Sequence, residues 1–265
     1  MPRSPEAQRR RVSKIKARIN SSADDHMPRC SVPDPITGRA CGRPTARAER
    51  KGLHVYLCRV HQQFQQRHGS SWCRSPTAET MKPYITSALA IVETYRSDRY
   101  ISAALNGLDG LMQSAGPVEI SSRLRGLPPA HRAKIALARL REANIKPERL
   151  LAIILAVHAL IREAPGTIHN TREWRIVAIA KAAHRMSSGT HRRWELRDDT
   201  GKVVRVTEMH SFPRAVGRVL RYLGDAIERE CEWVVDHHLT RVLALKIARY
   251  GPKVDTKGTT TAITA

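Results

Sequence analysis

CSVPDPITGRAC at residues 30–41 and LCRVH at residues 57–61 organise this chain, because they gather Cys30, Cys41, Cys58 and His61 in a segment with few apolar residues. A zinc ion takes about four thiolate or imidazole donors in a tetrahedron, and a segment too poor in apolar residues to bury a core can fold around it. Cys58-x2-His61 is the informative half. If a helix begins near Cys58, side chains three residues apart share a face and can point at one ion. Ten residues separate Cys30 from Cys41, and a hairpin turning among Pro33, Asp34, Pro35, Thr37 and Gly38 would bring the two thiols side by side. The fourth ligand is the least fixed of the set, since His54, His68 and Cys73 lie nearby in sequence. Free thiols in a loop are the competing explanation.

A first cysteine, the TG-x-x-C turn ending at Cys41 and the closing C-x-x-H of Cys58 and His61 resemble the short zinc modules of many uncharacterised phage and bacterial mobile-element proteins. The resemblance covers about residues 28–64. It implies a nucleic-acid context and no particular activity.

Composition points the same way. The 265 residues carry 46 Lys+Arg against 24 Asp+Glu, a formal charge of +22, and such an excess asks for a polyanionic partner. Hydrophobic residues make up 41%, enough for a core. Aromatic residues are only 5%, which favours contact with a duplex backbone over base stacking, and DNA over RNA. The longest apolar run, Leu150 to Ile161, is too short to cross a bilayer, which needs about twenty residues. The basic start lacks a following apolar stretch, so no secretory signal is expected. Five cysteines clustered with histidine fit metal use in a reducing cytoplasm better than a disulfide framework.

The expected fold is mainly α, a small zinc-stabilised N-terminal module followed by a helical lobe that carries one β-hairpin. Residues 1–27 read as a flexible basic arm, 28–72 as the zinc module, 78–115 as a helical hairpin, 118–250 as the lobe and 251–265 as a disordered tail. Within the hairpin, Pro83 opens a helix to about Tyr95 and a second runs from Asp98 to Met112. Tyr84, Ala88, Ile91 and Tyr95, like Ile101, Leu105, Leu108 and Met112, recur at helical spacing, as a core face or as a contact between copies through residues 80–115.

The lobe is punctuated by Gly116-Pro117, Gly126 and Pro128-Pro129. Helices follow from Pro129 to Ala143, from Pro147 to Ala164, and from a Thr171 cap to Met186. Alternating polarity about Asp198-Asp199-Thr200-Gly201 then signals a β-hairpin over residues 193–207. Three helices and a hairpin is the order of elements in a winged helix, with Thr171 to Met186 in the recognition position. From Pro213 to Tyr250 the pattern is helical for about 38 residues, roughly 57 Å, with a break expected near Gly224 or Val235.

The basic residues expected to meet phosphates are Arg9, Arg10, Arg11 and Lys14 in the arm, and Arg39, Arg43, Arg47, Arg50, Lys51 and Arg59 in the module. In the lobe they are Lys181, Arg185, Arg192, Arg193, Arg214, Arg218 and Arg221. The competing role for the arm is a solvated tail. No HExxH, Walker lysine loop, GxSxG or GxGxxG occurs. The acidic line Glu228, Glu232 and Asp236, beside His237 and His238, is the one arrangement that suggests Mg²⁺-dependent nuclease chemistry. Pairing with the chain's own arginines explains it more simply. The sequence therefore supports a zinc-containing DNA-binding protein, with a non-specific nucleic-acid-binding assembly protein and a nuclease as alternatives.

Overall fold

The computed structural model describes residues 29–34, 37–45, 56–119, 124, 126–164, 171–187, 189–210 and 217–253, with backbone alone at 189–194 and 205–210. The arm, Arg47, Arg50, Lys51, His54, Arg214, the side chains of Arg192 and Arg193, and the tail beyond residue 253 lie outside this description. The chain divides into two units, Met1–Phe64 and Gln65–Ala265.

In the first unit the expected hairpin is present. Antiparallel bridges join Arg29 to Pro44 and Pro33 to Ala40. Its turn is held by Asp34, whose carbonyl accepts from Gly38 N at 2.8 Å and whose side chain accepts from Thr37 N at 2.9 Å. Gly38 takes φ +68°, a left-handed conformation that glycine adopts without steric cost. Helix α1, Arg59–His68, begins directly after Cys58.

The second unit is a helical bundle. Helices α2 (Ala78–Thr94) and α3 (Arg99–Gln113) precede α4 (Pro129–Glu142), α5 (Pro147–Glu163) and α6 (Arg172–Met186). A hairpin of β1 (Gly189–Arg197) and β2 (Val203–His210) follows, then α7 (Gly217–Arg229) and α8 (Glu232–Tyr250). Helix α5 buries residues all round its circumference, twelve of its 17, so it can only be the centre of the bundle. Helices α2, α3, α6 and α8 pack on it. Each fully buried Leu or Ile there contributes about 1.5–3 kcal/mol, and the run Leu150–Val157 supplies five of them, with Val157 and two alanines that allow close approach.

Caps fix where helices start. Thr77 accepts from Thr80 N at 3.1 Å, Asp98 from Tyr100 N and Ile101 N at 3.0 and 3.2 Å, and Thr171 from Trp174 N at 3.3 Å. The first of these corrects the sequence expectation: α2 starts at Ala78, five residues before Pro83. Pro83 is tolerated inside because the carbonyl it leaves unbonded belongs to Glu79, which is exposed to water.

The hairpin of residues 78–115 is no separate body. Tyr84, Ala88, Ile91, Ile101, Leu105, Leu108 and Met112 all enter one core with α4 to α8, so the stripes expected to join copies are occupied within the chain. The C-terminal helix is likewise not continuous. It breaks at Glu230 and Cys231, between the two positions expected. Helix α7 packs on α4 and α6, whereas α8 packs on α2 and α5, and one straight rod could not follow both surfaces. Gly224 remains helical and serves close packing instead, since a Cβ there would lie 2.0 Å from the Ile176 carbonyl oxygen.

The β-hairpin turns where its sequence indicates. Gly201 adopts φ +80°, and the Asp198 carboxylate accepts from Thr200 N and Lys202 N at 3.0 and 2.9 Å. Leu196 pairs with Val204 and Arg197 with Val203, with a register shift between Thr190 and Arg192. Three helices and a hairpin thus occur in winged-helix order. Along α6, however, only Arg172 and Arg185 are fully exposed, so the helix offers a partner its ends and no open face. Among the described residues no helix is long and apolar enough to cross a membrane.

Candidate metal centre

The hairpin and the start of α1 bring Cys30, Cys41, Cys58 and His61 together. Their ligand atoms, three Sγ and one imidazole nitrogen, all lie within 4.8 Å of one another. His61 Nδ1 stands 3.2 Å from Cys30 Sγ and 3.6 Å from Cys58 Sγ. A tetrahedral ion with metal–sulfur bonds of about 2.3 Å needs its donors roughly 3.5–4 Å apart, so the cluster can close on a metal with small movements.

Backbone bonds set this geometry. Cys30 N donates to Arg43 O at 2.8 Å, Gly42 N to Cys30 O at 3.1 Å, and Cys41 N to Val32 O at 2.8 Å, which pins the two hairpin cysteines opposite each other. Gly42, just after Cys41, has φ +66°, a left-handed conformation that glycine adopts without steric cost. Cys58 immediately precedes α1 and His61 lies on its first turn, which brings the two side chains together as their spacing predicts. Among the described residues of the first unit, Val32 and Leu57 are the buried apolar side chains beside them.

The electrostatics favour ligation. Burial pushes the Cys30 thiol up, against backbone N–H groups of Cys58 and Val32 that stabilise its thiolate. Burial opposes ionisation of Cys58 too, but the N–H groups of His61 and Val60 with the thiols of Cys30 and Cys41 outweigh it and hold that thiol below its usual range. Burial, with Arg43 nearby, lowers the His61 pKa and keeps the imidazole neutral and able to donate a lone pair. The centre can thus hold a metal ion, and its four donors leave no open position.

Of the substitutes weighed for the fourth ligand, His68 and Cys73 belong to the second unit. His68 Nδ1 bonds Ser75 and Lys181, and the Cys73 thiol donates to Arg74 O.

Set against known proteins, the chain matches no family model, no curated protein and no solved structure. No family is shown.

The basic residues divide by environment. Arg39, Arg43 and Arg59 are exposed around the cluster, joined by Arg29, which the sequence did not single out and which donates to Gly42 O at 3.3 Å. Arg218 is exposed on α7. Arg221 is not available to a phosphate: its guanidinium bonds Glu173, Gln65 O at 3.2 Å, Gln66 O at 3.3 Å and Gly217 O at 2.7 Å, and so ties residues 65 and 66 to α6 and α7. Lys181 is half-buried against His68 and Ser75, more than a hundred residues away in sequence, and Arg185 lies exposed one turn further along α6.

The acidic line does not converge. Glu228 lies on α7, buried, bonded to Arg175 and with His158 and Arg172 nearby; burial works to raise its carboxyl, but His158 and Arg175 hold it below the usual range. Glu232 and Asp236 are exposed on α8, beyond the break at residue 231. Among the described residues, the cysteine and histidine cluster is the group placed to hold a metal.

Proposed function

We propose that this chain is a zinc-containing nucleic-acid-binding protein of phage or mobile-element type, docking chiefly on duplex DNA. Three thiolates and one imidazole in a closed tetrahedral arrangement suit Zn²⁺ in a structural role, where activation of a water would require an open position. The observation that carries the reading is the placement of Arg29, Arg39, Arg43 and Arg59 on the segment that the cluster holds, three of them on or beside the hairpin, in a chain of net charge +22. A metal fixes these guanidinium groups before docking, so less entropy is lost when they meet phosphates.

A second reading, an assembly protein that binds nucleic acid without regard to sequence, is favoured by one observation. Helix α6 has no exposed face to lay in a groove, which leaves backbone contact as the mode of docking.

Fluorescence anisotropy over a salt series tests both. Binding should be tight at low salt and fall steeply as counterions are released, without cleavage when Mg²⁺ is added. Failure to bind any DNA or RNA at about 50 mM salt would overturn the proposal. Competition between unrelated duplexes separates the readings: a sequence-specific regulator discriminates among them, and an assembly protein does not.

A further inference from the structure

Ser75, His68 and Lys181 form a closed triangle within the second unit. Lys181 Nζ lies 3.0 Å from Ser75 Oγ and 3.2 Å from His68 Nδ1, and Ser75 Oγ lies 3.1 Å from the same imidazole nitrogen. Ser75 N also donates to His68 Nδ1 at 3.0 Å. A backbone N–H can only donate, so Nδ1 is the acceptor and carries no proton. The ring is neutral. The ammonium has three N–H donors, two of them aimed at His68 and Ser75.

Basic residues stand around this triangle. Arg67 and Arg74 are exposed on either side of His68 and Ser75, and Arg185 is exposed four residues beyond Lys181 on α6. Among the described residues, the ion pairs with carboxylates include none made by Lys181, Arg67 or Arg74. Burial, with Arg185 and Arg67, brings the Lys181 pKa down to about 8, and burial, with Lys181, Arg74 and Arg67, brings that of His68 down to about 4. A half-buried ammonium oriented by the side chains of His68 and Ser75, with exposed guanidinium groups beside it, matches the acceptors of a tetrahedral oxyanion.

We propose that Ser75, Lys181, Arg67, Arg74 and Arg185 form a seat for one phosphate group of the nucleic acid. The proposal rests on the nucleic-acid reading for the source of the phosphate, and on the triangle alone for the seat. Ser75 Oγ and His68 Nδ1 orient the Lys181 ammonium, which donates its remaining N–H to a phosphoryl oxygen, and the arginines donate to the other oxygens and neutralise the charge. The sequence singled out Lys181 and Arg185 only as separate basic residues; the fold adds Ser75, Arg67 and Arg74 from more than a hundred residues away.

The test uses the full chain and the variants Lys181→Gln, Lys181→Arg and the exposed pair Arg67→Ala with Arg74→Ala. Anisotropy is measured with blunt duplexes bearing either 5′-hydroxyl or 5′-phosphate ends, and melting temperature with pyrophosphate. Lys181→Gln should weaken duplex binding about fivefold to tenfold and lower the slope of log affinity against log salt by about one, with Lys181→Arg near wild type. The arginine pair should lower the slope similarly, which keeps the test valid if Lys181→Gln does not fold. Equal losses with both duplex ends place a backbone phosphodiester in the seat, and a loss confined to the 5′-phosphate duplex places a terminal phosphate there. If no duplex binds but pyrophosphate stabilises wild type and not Lys181→Gln, the seat stands and the nucleic-acid reading fails. Unchanged affinity and slope in both variant sets, with no variant-sensitive stabilisation by pyrophosphate, overturns the seat.

Discussion

Lys246 Nζ donates to Glu163 Oε1 at 2.6 Å, joining the end of α5 to α8 through an ion pair that is almost wholly buried. Tyr84 of α2 donates its hydroxyl to the same carboxylate, Lys253 N donates to it at 2.6 Å, and the Lys246 ammonium sits over the Tyr84 ring. Three helices and the chain after α8 thus meet at one carboxylate. Removing one charge leaves the other buried without its counter-charge.

Lys246→Met should therefore destabilise the second unit by about 3 kcal/mol in a denaturant titration. Adding Glu163→Gln should recover most of that loss, because the amide still accepts from Lys253 N and pairs with Tyr84 while no charge remains. Additive losses in the double variant would show that the pair is not a unit.

Gly224→Ala should destabilise, although alanine is favoured over glycine inside a helix by roughly 0.5–1 kcal/mol. The added Cβ would lie 2.0 Å from Ile176 O, and backbone on both sides leaves α7 no option but to move away from α6. The expected net loss is about 2 kcal/mol. A higher melting temperature for the alanine variant would contradict the close helix approach.

The purified chain should carry one zinc per molecule by elemental analysis. Cys58→Ser or chelation should release it and unfold the first unit, because among its described residues only Val32 and Leu57 add buried apolar support to the cluster. The helical signal of the second unit should survive, since its core is complete without a metal. Loss of most helicity on chelation would refute this independence.

Acid should weaken the fold before carboxylates titrate. Burial, with Arg139 nearby, lowers His184 to about 4, and burial with Lys181, Arg74 and Arg67 lowers His68 to about 4, against 6.5 for an ordinary histidine. The unfolded chain then binds more protons between those values, so stability is full above pH 6.5 and declines as pH falls towards 4. Replacing both histidines with glutamine should flatten melting temperature across that window. An unchanged profile would assign the decline to other groups.

Much of the fold was legible because its signals are local. Pro129, Pro147 and Thr171 mark helix starts, Asp198 to Gly201 mark a turn, and Cys58 with His61 lie on one helical face. The break at Cys231 was not, because the apolar stripe runs through it unbroken and only packing on two different sets of helices divides it. Arg221 was misread for a related reason. An arginine in a basic stripe looks solvated until Glu173 and the carbonyls of residues 65 and 66 are found around it.

By itself, then, the sequence determined the four candidate ligands, the mainly helical class, the hairpin and the charge of +22, since each depends on residue type and short spacing. Tertiary structure alone decided that residues 78–115 share the core of the lobe, that Glu228 is bound by Arg175, and that Ser75 meets Lys181. Those facts depend on which surfaces bury each other between segments far apart in sequence, and no local pattern encodes that choice.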